Sequence, residues 1–143
     1  MAITQLSVFL ENQPGRLAQA LRLISAAGVN IRAMSLADTK DFGILRIIVS
    51  DVEKTKEILK HESVVIETGV IAVRMEDQAG ALYNILQVLE EADINVEYLY
   101  AFTGRKDASA YVVLRVNETE LAEKALKEKN IHTLSNDEMI SQL

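Results

Sequence analysis

The sequence predicts an α+β protein of two tandem copies of one unit. Each unit runs strand–helix–strand–strand–helix–strand and folds as a four-stranded antiparallel sheet with both helices on one face. Three observations predict this. The stretch Leu10-Glu11-Asn12-Gln13-Pro14-Gly15-Arg16-Leu17 returns 65 residues later as Met75-Glu76-Asp77-Gln78-Ala79-Gly80-Ala81-Leu82. The register then holds, so that 7 of 21 positions are identical between 11–31 and 76–96. Finally, apolar periodicity switches between helical and strand spacing in the same order after each copy.

The elements follow in order. Residues 2–10 form a strand. Pro14 suits a first helical position, and Leu17, Leu21, Ile24 and Ala27 space as one helix face until Gly28 ends it. Val29–Ala37 is a second strand, Asp38–Asp41 a turn and Phe42–Val49 a third strand. Ser50-Asp51-Val52-Glu53 has the form of a capping box opening a short helix. Ser63–Met75 is almost continuous β-former, so the last strand of the first unit runs into the first strand of the second. The boundary falls between 1–68 and 69–143, without a flexible linker.

The second unit repeats the pattern. Leu82, Ile85, Leu86 and Leu89 make its helix stripe, and Asp93 stands where Gly28 capped the first. Strands at Asn95–Phe102 and Ala108–Val116 flank a hairpin at Thr103–Asp107. Asn117–Glu120 opens a helix with Leu121, Ala122, Ala125 and Leu126 inward. Ile131–Leu134 is a short strand, and Ser135–Glu138 caps a last helical turn. Ile44 to Val49 is apolar on both faces, and Val96, Tyr98, Tyr100 and Phe102 share a face. More than helices must therefore cover these sheets: edge-to-edge extension or an oligomer interface.

Composition narrows the function. The 143 residues carry a net charge of −6 and no cysteine. An acidic chain lacks the basic surface that offsets nucleic-acid phosphates. Without cysteine there is no disulfide, thiolate nucleophile or cysteine-ligated metal. No signal peptide or membrane-length apolar run occurs, so a cytoplasmic location is expected, with no nucleic-acid or membrane partner, no metal and no cofactor. His61 and His132 have no partner at a relay spacing and read as surface residues. An acylphosphatase-like hydrolase would need a loop arginine and a strand asparagine, for which Arg16 and Asn30 are a poor match.

The repeated loop is the candidate site. A strand ends, a glycine turn follows and a helix begins, whose first amides lack intrahelical partners and suit a carboxylate. Asn12 and Asp77 flank this end and either cap the helix or contact a ligand. Asn30 and Asn95 begin the next strand, which the unit is expected to bring back beside the loop. Capping and turn roles are the commonest use of Asn, Asp and Gly, so recurrence in both halves is what favours binding.

The motifs Asn12-Gln13-Pro14-Gly15-Arg16-Leu17 and Gly28-Val29-Asn30-Ile31 resemble the ACT domain, a ferredoxin-like βαββαβ regulatory module that binds amino acids. The resemblance covers the whole chain as two tandem ACT units without a catalytic domain. It implies a non-enzymatic protein with an amino acid held where ACT units meet, a homodimer, and allosteric control of an enzyme of amino-acid metabolism. A ligand-free interaction module on the same fold is the alternative. The implied binding residues are Asn12, Gln13, Pro14, Gly15, Leu17, Asn30 and Ile31, then Asp77, Gln78, Ala79, Gly80, Leu82, Asn95 and Val96. The second set departs from the family pattern at Asp77, Ala79 and Asp93.

Overall fold

A computed structural model describes residues 3–103 and 109–141. The chain divides into two compact units, Thr4–Thr68 and Gly69–Leu143, the latter together with Ile3.

The first unit contains β1 (Ile3–Glu11), α1 (Arg16–Ala26), β2 (Ile31–Asp38), β3 (Phe42–Val49), α2 (Val52–Leu59) and the first part of β4 (Val64–Glu76). Its strand order is β2-β3-β1-β4, and β3 is antiparallel to both of its neighbours. Alternation places Leu6, Val8 and Leu10 of β1 and Leu45, Ile47 and Val49 of β3 on one sheet face. There they meet Ala20 and Ile24 of α1 and Leu59 of α2. Each such side chain contributes roughly 1.5–3 kcal/mol by leaving water. Asp51 caps α2 by accepting from the Lys54 amide at 3.0 Å. The cap thus falls one residue later than Ser50, and the Ser50 hydroxyl serves elsewhere.

The second unit contains the rest of β4, α3 (Ala81–Glu91), β5 (Val96–Thr103), β6 (Ser109–Val116), α4 (Thr119–Glu128) and α5 (Asn136–Ser141). Its strands run β4-β6-β5, all antiparallel. Ile85 and Leu89 of α3 and Ala122 and Leu126 of α4 pack on Ile71, Val73, Val112, Leu114 and Val116.

Eight expected strands become six. Val64–Glu76 is one continuous strand through the unit boundary, and the short strand expected at Ile131–Leu134 is reduced to a single bridge, Val73 to Thr133. The sheet face away from the helices is also buried within the single chain: Gln5 and Ile48 in the first unit, and Ala72 and Val113 in the second, are at most 1% exposed.

Three helices end on the same device. The amide of Val29 reaches the carbonyl of Ile24 and that of Gly28 the carbonyl of Ser25; Ile94 and Asp93 do the same on α3, and Ile131 and Asn130 on α4. Gly28, Asp93 and Asn130 all have positive φ, the conformation this motif requires. Asp93 therefore does take the place of Gly28.

Three expectations fail locally. Leu121 is 54% exposed rather than inward, because the buried face of α4 carries Ala122 and Leu126. Val96 leaves the Tyr98–Tyr100–Phe102 face, because a register shift between Val96 and Tyr98 turns it onto the helix-side core. Pro14 is not the first helical residue, as the site geometry explains. The hairpin expected at Thr103–Asp107 lies almost wholly outside the described residues.

Candidate functional site

The two loops have the same hydrogen-bond skeleton. In the first unit the Gln13 amide donates to Glu11 (2.9 Å), that of Arg16 to Gln13 (3.3 Å) and that of Gln19 to Gly15 (3.0 Å). In the second, Gln78 donates to Glu76 (2.9 Å), Ala81 to Gln78 (3.3 Å) and Asn84 to Gly80 (3.0 Å). Gly15 (φ 86°, ψ −11°) and Gly80 (φ 88°, ψ −12°) occupy the third position of a type II turn and act as helix N-caps. Pro14 sits at the second position of that turn, where its fixed φ is also favourable. Nothing lies within 4 Å of a Cβ built on either glycine. The requirement for glycine is therefore conformational, not a close approach.

A glycine cap supplies no side-chain acceptor, and neither α1 nor α3 has a side-chain cap. Asn12 and Asp77 do not cap; both are exposed. The amides of Leu17 and Ala18, and of Leu82 and Tyr83, take no hydrogen bond from the described residues. No acidic side chain occupies the first turn of either helix. Each unit therefore presents two unpaired amides at the positive end of a helix, able to hold an anionic oxygen.

The other half of the motif lies elsewhere. The Asn30 amide donates to the Ser50 hydroxyl (3.0 Å) while its carbonyl accepts from the Ser50 amide (2.9 Å). Asn95 and Asn117 repeat this clamp at 3.0 and 3.2 Å. The clamp uses backbone atoms of the first residue and leaves both asparagines exposed. On β3, Phe42 pairs with Glu11 beside the loop, whereas Val49 pairs with Ile31 beside Asn30. Loop and asparagine are thus separated by the length of β3, 8 residues, or roughly 25 Å at about 3.3 Å per residue. This corrects the expectation that one unit brings Asn30 beside its own loop. The same holds for Asn95, since α1 and α3 each carry the chain to the opposite end of the sheet. The separation also parts Arg16 from Asn30, which an acylphosphatase-like arrangement would need together.

Of the apolar candidates, Leu17 and Ile31 pack against the first core and Leu82 and Val96 against the second. Asn12, Gln13, Pro14 and Gly15, and Asp77, Gln78, Ala79 and Gly80, are exposed.

Sequence reasoning missed a groove beside each loop. In the first unit it runs between α1 and the α2–β4 junction, lined by Glu11, Arg16, Gln19 and Glu62 over Leu10 and Leu59. Arg16 lies 3.9 Å from Glu11, and the Gln19 amide donates to Glu62 across the groove. In the second unit Arg74, Gln78, Asn84 and His132 line the matching groove. The signal was the i, i+3 spacing of Arg16 and Gln19, whose partner Glu62 is remote in sequence. His132 likewise has a carboxylate partner that spacing did not reveal: its Nε2 lies 2.8 Å from Glu138. The Glu138 carboxyl is held below the usual carboxylate range, first by the Ser135 amide and then by the His132 ring. This pair secures α5; no nucleophile completes a relay with it among the described residues. Arg115 donates to the Gly69 carbonyl at 2.8 Å and Arg74 to Ser109 at 3.0 Å, both structural bonds. Among the described residues no cluster of three acidic or histidine side chains could hold a metal, and no helix is long and apolar enough to cross a membrane.

Fold and loops together define a doubled ferredoxin-like unit that offers helix-start amides twice. Comparison with known families specifies it: the chain belongs to the ACT family, matching the model of an ACT domain pair over residues 1–143. It resembles a protein of known structure from Bacteroides thetaiotaomicron (34% identity, TM-score 0.92, covering 99% of this chain and 97% of that one). It also shares its fold with the regulatory subunits of aspartate kinase from Thermus thermophilus (14% identity, TM-score 0.64, 91% and 92% coverage) and Thermus flavus (14%, 0.65, 89% and 90%). No protein with a curated description matches the chain.

Proposed function

We propose that this chain is a non-catalytic regulatory protein that binds an amino acid at its strand-to-helix loops and transmits occupancy to an enzyme of amino-acid metabolism. The observation that carries the reading is the doubled loop, with its unpaired amides at Leu17 and Ala18 and at Leu82 and Tyr83. Membership of the ACT family supports it. The ligand carboxylate takes the amides, and the Asn12 side chain, able to donate and accept, takes the ammonium end. A ligand that also touches Asn30 must draw it from a different ACT unit, because 25 Å or so separates the two within one. We assign that second unit to a second copy of the chain. The second loop carries Asp77, which favours an ammonium group but repels a carboxylate, so it binds more weakly.

A thermal-shift screen of the twenty amino acids tests this. A ligand at a hundred times its Kd adds about 2.7 kcal/mol, a rise of several degrees for a chain this size. An Asn12→Ala, Asn30→Ala double variant should fold normally and lose the shift. If no amino acid raises the midpoint, the reading is wrong and an interaction module takes its place.

A further inference from the structure

Strand β2 is the outermost strand of its unit and carries none of the usual protection of an exposed edge. The segment Arg32-Ala33-Met34-Ser35-Leu36-Ala37-Asp38 contains no proline, lysine or glutamate. Such residues are what normally stop an edge from templating another strand. Met34 and Leu36 are 43% and 51% exposed, although their ladder partners Ile47 and Leu45 on the same face are fully buried. Read outward from Ser35, the segment is chemically self-complementary: Met34 matches Leu36, Ala33 matches Ala37 and Arg32 matches Asp38.

We propose that β2 pairs antiparallel with β2 of a second copy of this chain, centred on Ser35. A twofold axis through that point sets Met34 of each copy opposite Leu36 of the other, covering both exposed side chains twice. It also sets Arg32 opposite Asp38 at each end. The bulge between Ile31 and Ala33 lies at the margin, so the ladder is regular over the central positions. The other outermost strand, β5, lacks this property. Its only charge is Glu97, which already lies 3.8 Å from Arg115. Any twofold pairing of β5 sets Glu97 against an uncharged residue or against a second Glu97.

The register has a consequence for the binding site. It brings Asn30 of one copy to the 39–41 turn of the other, and the Asp41 carbonyl of that turn accepts the Asn12 amide at 3.3 Å. The dimer thus reunites the two segments that a single unit holds apart. Only this consequence rests on the ligand-binding reading; the pairing itself does not.

The test is the oligomeric state of the full chain without ligand, by sedimentation velocity. The expected species has twice the 15.9 kDa chain mass. Met34→Glu and Leu36→Lys, each at an exposed position, should individually weaken the dimer by more than about tenfold, since each sets a charge against an apolar side chain. The double variant should restore it, because the register faces each new carboxylate with a new ammonium group. A monomeric parent, single variants that dimerise undiminished, or a double variant that stays monomeric would each overturn the proposal. A thermal-shift screen without hits, beside an intact dimer, would sink the ligand reading alone.

Discussion

Gly15→Ala should destabilise the protein by about 1–2 kcal/mol, through backbone strain alone. Gly15 has φ 86°, and a Cβ built on it meets nothing within 4 Å. The added methyl therefore causes no collision with a neighbour; the cost is that of holding an L-residue in the left-handed region. At about 4 °C per kcal/mol for a domain of this size, the midpoint falls by roughly 4–8 °C. Gly15→Asn supplies the decisive comparison. Asparagine is larger than alanine but tolerates positive φ better, so it should cost less. Urea unfolding of the three proteins, with equal m-values, gives the ranking directly. If Asn costs more than Ala, the limit at Gly15 is space rather than conformation. Gly80, with φ 88° and an equally empty surround, should repeat both results.

Other expectations are narrower. Asp51→Ala removes the acceptor of the Lys54 amide and should cost about 0.5–2 kcal/mol in denaturant unfolding. Ile47→Ala, at a fully buried position in the first core, should cost about 2–5 kcal/mol and expose a cavity on the helix side. The Glu138 carboxyl has a depressed pKa in the folded chain, so its contribution is complete above the unfolded pKa and is lost as pH falls through the folded one. Docking of α5 should loosen below about pH 4, read by hydrogen exchange at Met139, and Glu138→Gln should remove that pH dependence.

What was legible follows from the range of each signal. Helix ends, turns and the shared strand are set by neighbours in sequence: Gly28 and Asp93 announce their motifs, and Val64–Glu76 is nearly unbroken β-former. The misreadings are those that need a third dimension or a single atom. Pro14 fits either a first helical residue or the second residue of a type II turn, and only the Arg16–Gln13 hydrogen bond decides. The bulge before Tyr98 costs one residue of register and reverses the face of Val96. Gln19 and Glu62, and His132 and Glu138, meet because helices pack or a strand ends, which no local pattern records.

The placement of Asn30 carries the largest consequence. Both motif segments recur in both units, which suggested one compact site per unit. A helix must return the chain to the opposite end of the sheet, however, before a parallel crossover strand can begin. The segments flanking α1 therefore cannot meet within that unit, whatever their side chains. Recurrence of both, with every side chain exposed and the backbone already satisfied by Ser50 or Asn117, then argues for use rather than scaffold. A pair of segments that a fold always separates can act together only across an assembly. That makes oligomeric state a determinant of ligand binding in this chain, and binding and dimerisation should consequently raise one another's affinity by the same factor.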